Sequence, residues 1–178
     1  MRTTTVYAIR HGETEWNVLG KQQGHLDSPL TQRGKKQAKR LAQGLTNLAI
    51  ATIFSSDLQG LTISEFKAKY PEAHKQFKSS DPDYCIPDGE SERERYLRTI
   101  SATENIIAKH SGKTILLVCH SGVVRSYFHR ATGLPLETPR RFSLVNGAIN
   151  QFRFAEDWTL VTWGDVSHLR NVTAMDDY

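Results

Sequence analysis

The chain has 178 residues, 38% of them hydrophobic and 24% charged, a size and balance that supports one good-sized core and excludes a disordered or fibrous protein. Its formal charge of +4 suits an anionic partner such as a phosphate ester and does not call for nucleic acid. Cys85 and Cys119 stand too far apart for a metal-type spacing, no apolar leader core follows Met1, and no apolar segment approaches membrane-spanning length, so the expectation is a soluble cytoplasmic protein with no membrane partner.

Strand-like and helix-like segments alternate along the chain. TTTVYAI, residues 3–9, is β-branched and aromatic and predicts a first strand. SPLTQRGKKQAKRLAQGL predicts a helix with Thr31 as N-cap, with Ala38, Leu41, Ala42 and Leu45 at helical spacing and with Lys35, Lys36, Lys39 and Arg40 on a solvated face. ATIFSS, residues 51–56, predicts a second strand. Thr62-Ile63-Ser64-Glu65 has the spacing of a capping box that opens a short helix ending near Pro71, and residues 79–90 are a loop by their Pro, Asp and Gly content. A second capping box, Ser91-Glu92-Arg93-Glu94, opens a helix that turns Leu97, Ile100 and Ile107 to the core and is ended by Gly112.

KTILLVCH is a near-continuous apolar run, as a strand covered on both faces requires. SGVVRSYFHRATG then predicts a helix ending at Gly133, and AINQFRF and TLVTW predict two later strands. With no internal repeat or linker, the alternation implies one domain over residues 1–178, an α/β protein built as a three-layer α/β/α sandwich around a mostly parallel sheet.

Two of these strands end in histidine, IRHG at residues 9–12 and VCHSG at 118–122, and ligands of open α/β sheets gather at strand carboxyl ends. A neutral imidazole is a good nucleophile toward phosphorus, and Arg10 offers a planar fork of donors matched to phosphate oxygens. A lone histidine in such a place is more often a hydrogen-bonded turn residue. Two such sites, one with an adjacent arginine, favour a phosphoryl site. A metal centre of His11, His120 and Asp57 is a competing reading, against which the fixed cation Arg10 argues.

RHGETEWN is similar to the defining motif of the histidine phosphatase superfamily, which includes cofactor-dependent phosphoglycerate mutases, fructose-2,6-bisphosphatases and α-ribazole phosphatases. The resemblance continues through GHLDSPLTQRGKKQA, SSDL, the GES of PDGES, VCHSGVVR and the closing Ser167-His168-Leu169. It implies a phosphoglycerate mutase-like fold and hydrolysis of small phosphate monoesters, without metal or other cofactor, through a phosphohistidine on His11. It further implies Arg10 and His120 as phosphate-pocket donors and Asn17, Gln23, Gly24 and Ser121 as substrate or phosphate contacts. The partner implied is a small phosphorylated metabolite; the oligomeric state is left open, a homodimer being compatible with the sequence.

The chain departs from the family pattern after Ser55-Ser56-Asp57-Leu58-Gln59, which runs directly into Gly60-Leu61-Thr62. A helix and an acid-bearing segment are missing there, and with them a second pocket arginine and the usual proton donor. Glu13, Asp57 and Glu90 are the carboxylates left in or beside matching motifs. A phosphatase is expected ahead of a mutase, because little chain separates SSDL from PDGES; an impaired member that binds phosphorylated ligands or a protein partner is the alternative from another class.

Overall fold

A computed structural model describes residues 2–20, 28–55, 81–85 and 89–172. The capping box at 62–65, the helix expected to stop near Pro71 and the Gln59–Gly60 junction lie outside these residues. Among the described residues the strands are β1 (Thr4–Arg10), β2 (Ile50–Ser55), β3 (Thr114–Cys119), β4 (Ile149–Phe154) and β5 (Trp158–Asp165). The helices are α1 (Glu15–Val18), α2 (Gln32–Gly44), α3 (Glu92–Lys109) and α4 (Ser121–Thr132), followed by a 3-10 turn at Ser167–Leu169.

The strands form one sheet in the order β2-β3-β1-β4-β5. β2 and β1 both pair in parallel with β3, β4 runs antiparallel to β1, and β5 runs antiparallel to β4. Four of the five strands therefore point the same way and β4 alone is reversed. This is the mixed, mostly parallel sheet expected from the alternation of elements. Parallel neighbours need a crossover, and α3 supplies the one that enters β3.

Alternate residues of each strand face opposite layers. Val6 and Ala8 of β1, Ile115, Leu117 and Cys119 of β3 and Phe152 of β4 pack with Ile100 and Ile107 of α3 and Val123, Val124 and Tyr127 of α4. Tyr7 and Ile9 of β1 and Leu116 of β3 turn to the other side and meet Leu41 and Leu45 at the end of α2. Helices thus cover both faces, giving the three-layer sandwich.

Two expectations about helix faces are corrected. Leu97 is 59% exposed, because the buried stripe of α3 runs through Thr99, Ile100, Thr103 and Ile107, and Leu97 sits roughly 100° around the helix from its centre. Ala38 and Ala42 are exposed as well. The inner face of α2 is instead Gly34, Gln37, Leu41 and Leu45, set by a close backbone contact in its first turn and by a buried amide. The expected caps hold: the Thr31 hydroxyl accepts from the Gly34 N–H, and Ser91 and Glu94 form the reciprocal box. α4 ends at Gly133, whose φ of +69° is the left-handed conformation that a residue without Cβ adopts most readily.

Candidate active site

β1 and β3 lie side by side in register, with Arg10 opposite Cys119, and the His11 N–H donates to the Cys119 carbonyl at 3.0 Å. Two histidines separated by more than a hundred residues consequently leave neighbouring strand ends together. Their ring centroids are 4.8 Å apart, with the planes tilted by 58°. The Nδ1 of His11 is 2.8 Å from the Gly12 carbonyl oxygen. A carbonyl can only accept, so Nδ1 carries the proton, and in the neutral ring the lone pair is then on Nε2.

His120 is held differently. It is the N-cap of α4, its carbonyl accepting from the Val123 and Val124 N–H groups at 3.0 Å each, and its side chain makes no capping bond. The N–H groups of Ser121 and Gly122 open the helix and have no intrahelical acceptor, so the positive end of α4 lies beside the two imidazoles. That is an anion-binding arrangement in its own right.

Around the β1 end the protein is tightly braced. Arg10 is only 2% exposed; its guanidinium donates to the Leu144 carbonyl, and its own carbonyl accepts from the Gly147 N–H at 2.9 Å. Asn146, fully buried, donates through Nδ2 to the His11 carbonyl at 3.0 Å and to Asn17 Oδ1 at 3.3 Å. Glu13 is 2% exposed, and its carboxylate accepts from the Thr31 hydroxyl at 2.7 Å and from Arg33 at 2.8 Å. Gln37 Oε1 accepts from the Glu13 N–H at 2.8 Å. A Cβ on Gly34 would stand 1.9 Å from the Glu13 carbonyl oxygen, and one on Gly12 would stand 2.7 Å from the Gly34 oxygen. The loop that carries the histidine and the first turn of α2 touch backbone to backbone.

Of the residues singled out from the sequence, Arg10, His11, His120 and Ser121 come together at the two strand ends. Asn17 is tied in through Asn146 and also accepts from the Thr14 N–H at 3.0 Å, so its side-chain oxygen serves both contacts. Gln23, Gly24 and Asp57 lie outside the described residues. Glu13 and Glu90 are both committed as ion-pair partners, Glu13 to Arg33 and Glu90 to Arg98, so neither is placed as an available proton donor. Cys119 ends β3 beside the site, but burial pushes its thiol up to about 12, which keeps it protonated and inert. No group of three or more metal-ligating side chains is present among the described residues.

Asn146, Gln37 and Arg33 were not read as site residues. The one available signal was the Asn-Gly pair at 146–147 just ahead of a strand, which marks a turn and says nothing of what the amide holds.

Comparison with known proteins gives this geometry a family. The profile of the histidine phosphatase superfamily (branch 1) matches residues 6–60 and 57–166, in two pieces that meet at the place where a segment is missing from the sequence pattern. Phosphoglycerate mutase-like protein 4 of Arabidopsis thaliana is 35% identical over 201 aligned residues, covering 92% of this chain and 86% of that protein. Metal-independent phosphoserine phosphatase of the same plant is 33% identical over 205 residues, covering 95% and 84%. Both alignments are longer than the 178-residue chain itself, so the relatives carry residues that this chain lacks. Among solved structures, Bacillus stearothermophilus YhfR superposes with a TM-score of 0.82 at 27% identity, covering 93% of this chain and 99% of that one. With two histidines and an arginine converging at adjacent strand ends of a phosphoglycerate mutase-like sheet, and the family profile spanning most of its length, the chain belongs to the histidine phosphatase superfamily.

Proposed function

We propose that the protein is a metal-independent phosphatase that hydrolyses small phosphate monoesters through a phosphohistidine on His11. The observation that carries this reading is the convergence of His11 and His120 at neighbouring strand ends, ring centroids 4.8 Å apart, with the His11 Nδ1–H bonded to the Gly12 carbonyl so that Nε2 is the nucleophilic nitrogen. In the first half-reaction Nε2 forms a bond to phosphorus as the ester P–O bond breaks, the leaving oxygen taking the electron pair and then a proton from solvent water. In the second, water attacks phosphorus as the N–P bond breaks, its proton passes to solvent, and inorganic phosphate leaves with the imidazole neutral again.

Arg10, His120 and the N–H groups opening α4 act on the equatorial oxygens of the transferring group, where preorganised donors lower the barrier without covalent chemistry. Glu13 and Glu90, the two candidate acids among the described residues, are engaged in ion pairs, and an aryl ester with an acidic leaving group, which departs without protonation, is the substrate suited to a test. The resemblance of metal-independent phosphoserine phosphatase supports a small phosphorylated metabolite as the natural ligand. A cytoplasmic location belongs to the same reading; the two free cysteines, Cys85 exposed and Cys119 buried, support it, and no helix among the described residues is long and apolar enough to cross a membrane.

The test is hydrolysis of p-nitrophenyl phosphate with and without excess chelator. The expected result is unchanged turnover in the chelator, together with a rate well above that for an alkyl phosphate. Turnover abolished by the chelator and restored by a divalent metal would overturn the reading.

A further inference from the structure

We infer that Arg95 is a specificity-determining residue that engages a second anionic group on the substrate, beyond the phosphoryl group held by Arg10 and the histidines. The inference rests on the phosphatase reading for the place of the phosphoryl group and goes beyond it in naming what else the ligand carries.

α3 and α4 both begin at the carboxyl end of the sheet, because each lies antiparallel to the strand it precedes or follows, and their first turns stand side by side there. Arg95 in the first turn of α3 reaches across to the second residue of α4: its Nε lies 3.0 Å, and its Cζ 3.2 Å, from where a Cβ on Gly122 would stand. A Cβ at 122 would crowd the guanidinium and make it give by a few tenths of an ångström, so glycine there allows the closest approach. Gly122 is two residues past His120, about 3 Å farther along the helix axis, which puts the guanidinium beside the same helix start that faces the two imidazoles.

The charges around Arg95 do not balance. Arg95 and Arg125 both face a single carboxylate oxygen of Glu92, at 3.5 and 3.2 Å, and that oxygen accepts a hydrogen bond from neither. The Arg95 Nε–H is buried and has no acceptor. A buried guanidinium donor without a partner is costly, and beside the positive ends of two helices Arg95 and Arg125 share the Glu92 carboxylate, the neighbouring Glu90 being paired with Arg98. Burial is the main cause that holds Arg95 below the ordinary arginine range, with Arg125 adding to it and Glu92 opposing it. Nothing in the phosphoryl-transfer chemistry uses this group. A carboxylate or second phosphate on the ligand would supply the missing acceptor and the missing charge together.

The experiment compares two phosphate monoesters of similar size, 3-phosphoglycerate with its carboxylate and glycerol 3-phosphate without one, by calorimetric binding and by kcat/KM. The parent protein is expected to prefer 3-phosphoglycerate. Arg95→Met should lower the ratio of the two affinities at least tenfold, Arg95→Lys should recover part of it, and Glu92→Gln, which removes the competing carboxylate, should raise it. An equal affinity of the parent for the two ligands, or an equal loss for both in Arg95→Met, would overturn the inference and leave Arg95 a clamp between two helices. Should Arg95→Met not fold, Glu92→Gln and Arg95→Lys decide the matter by the same ratio. Absence of p-nitrophenyl phosphate turnover in the parent counts against the phosphatase reading alone, because the binding ratio is measured without turnover.

Discussion

The two strand ends that form the site have nearly the same sequence shape, an apolar run followed by histidine, a small residue and a helix, yet the fold secures them by different means. At the β1 end, side chains from two distant parts of the chain converge: Asn146 on the His11 carbonyl, and from the start of α2 Gln37 on the Glu13 N–H and Thr31 and Arg33 on the Glu13 carboxylate. At the β3 end the residue is set by the helix start, since His120 caps α4 through its carbonyl and its ring makes no capping bond. A nucleophile must attack in line and return to the same place, so it gains from a fixed tautomer and a rigid loop. A donor acting through charge only has to face the phosphoryl oxygens, for which a position at a helix start is enough.

The sharpest way to break this contrast is to remove each ring in turn. His11→Ala should cost on the order of 10⁴ to 10⁶ in turnover, as loss of a covalent nucleophile does. His120→Ala should cost about 10² to 10³, the range for one preorganised donor. Steady-state hydrolysis of p-nitrophenyl phosphate measures both, and equal losses would mean that the two ends share one role.

Smaller effects sharpen the picture of the brace. Gly34→Ala places a methyl group against the Glu13 carbonyl, backbone against backbone, and should destabilise the fold by about 1–3 kcal/mol or more while slowing turnover, because the loop bearing His11 must shift. A urea midpoint shows the stability loss; a midpoint unchanged from the parent would mean that α2 slides without strain. Ser91→Ala removes one half of the α3 capping box and should cost about 1 kcal/mol in the same assay. Its kcat for p-nitrophenyl phosphate should stay within a few-fold of the parent, and a far larger drop would show that the start of α3 governs the chemistry as well as the rim.

What could be read from the sequence was local. Strand periodicity, the capping-box spacing at 91–94 and the histidines that end β1 and β3 are patterns within a few residues, and the strand ends bring Arg10, His11 and His120 to one end of the sheet. Their convergence could not be read, because the β1–β3 pairing joins Arg10 to Cys119 across a long stretch of chain. The role of Glu13 was equally hidden: as a free carboxylate it resembles a proton donor, and only the tertiary contact with Thr31 and Arg33 shows it to be a strut. Leu97 was misplaced for a similar reason. Helical spacing alone fits several faces, and the packing of α3 on α4 chooses the one through Ile100 and Ile107.

The central claim is that phosphorus is transferred to His11 and to no other residue. Rapid acid-free quenching after mixing with phosphate ester, followed by peptide mapping for an acid-labile phosphoryl group, tests it in the parent, His11→Ala and His120→Ala proteins. The label should lie on His11 in the parent, vanish in His11→Ala, and persist on residue 11 in His120→Ala, where its formation and breakdown are both slow. A label mapped to His120, or one that survives in His11→Ala, would contradict the account.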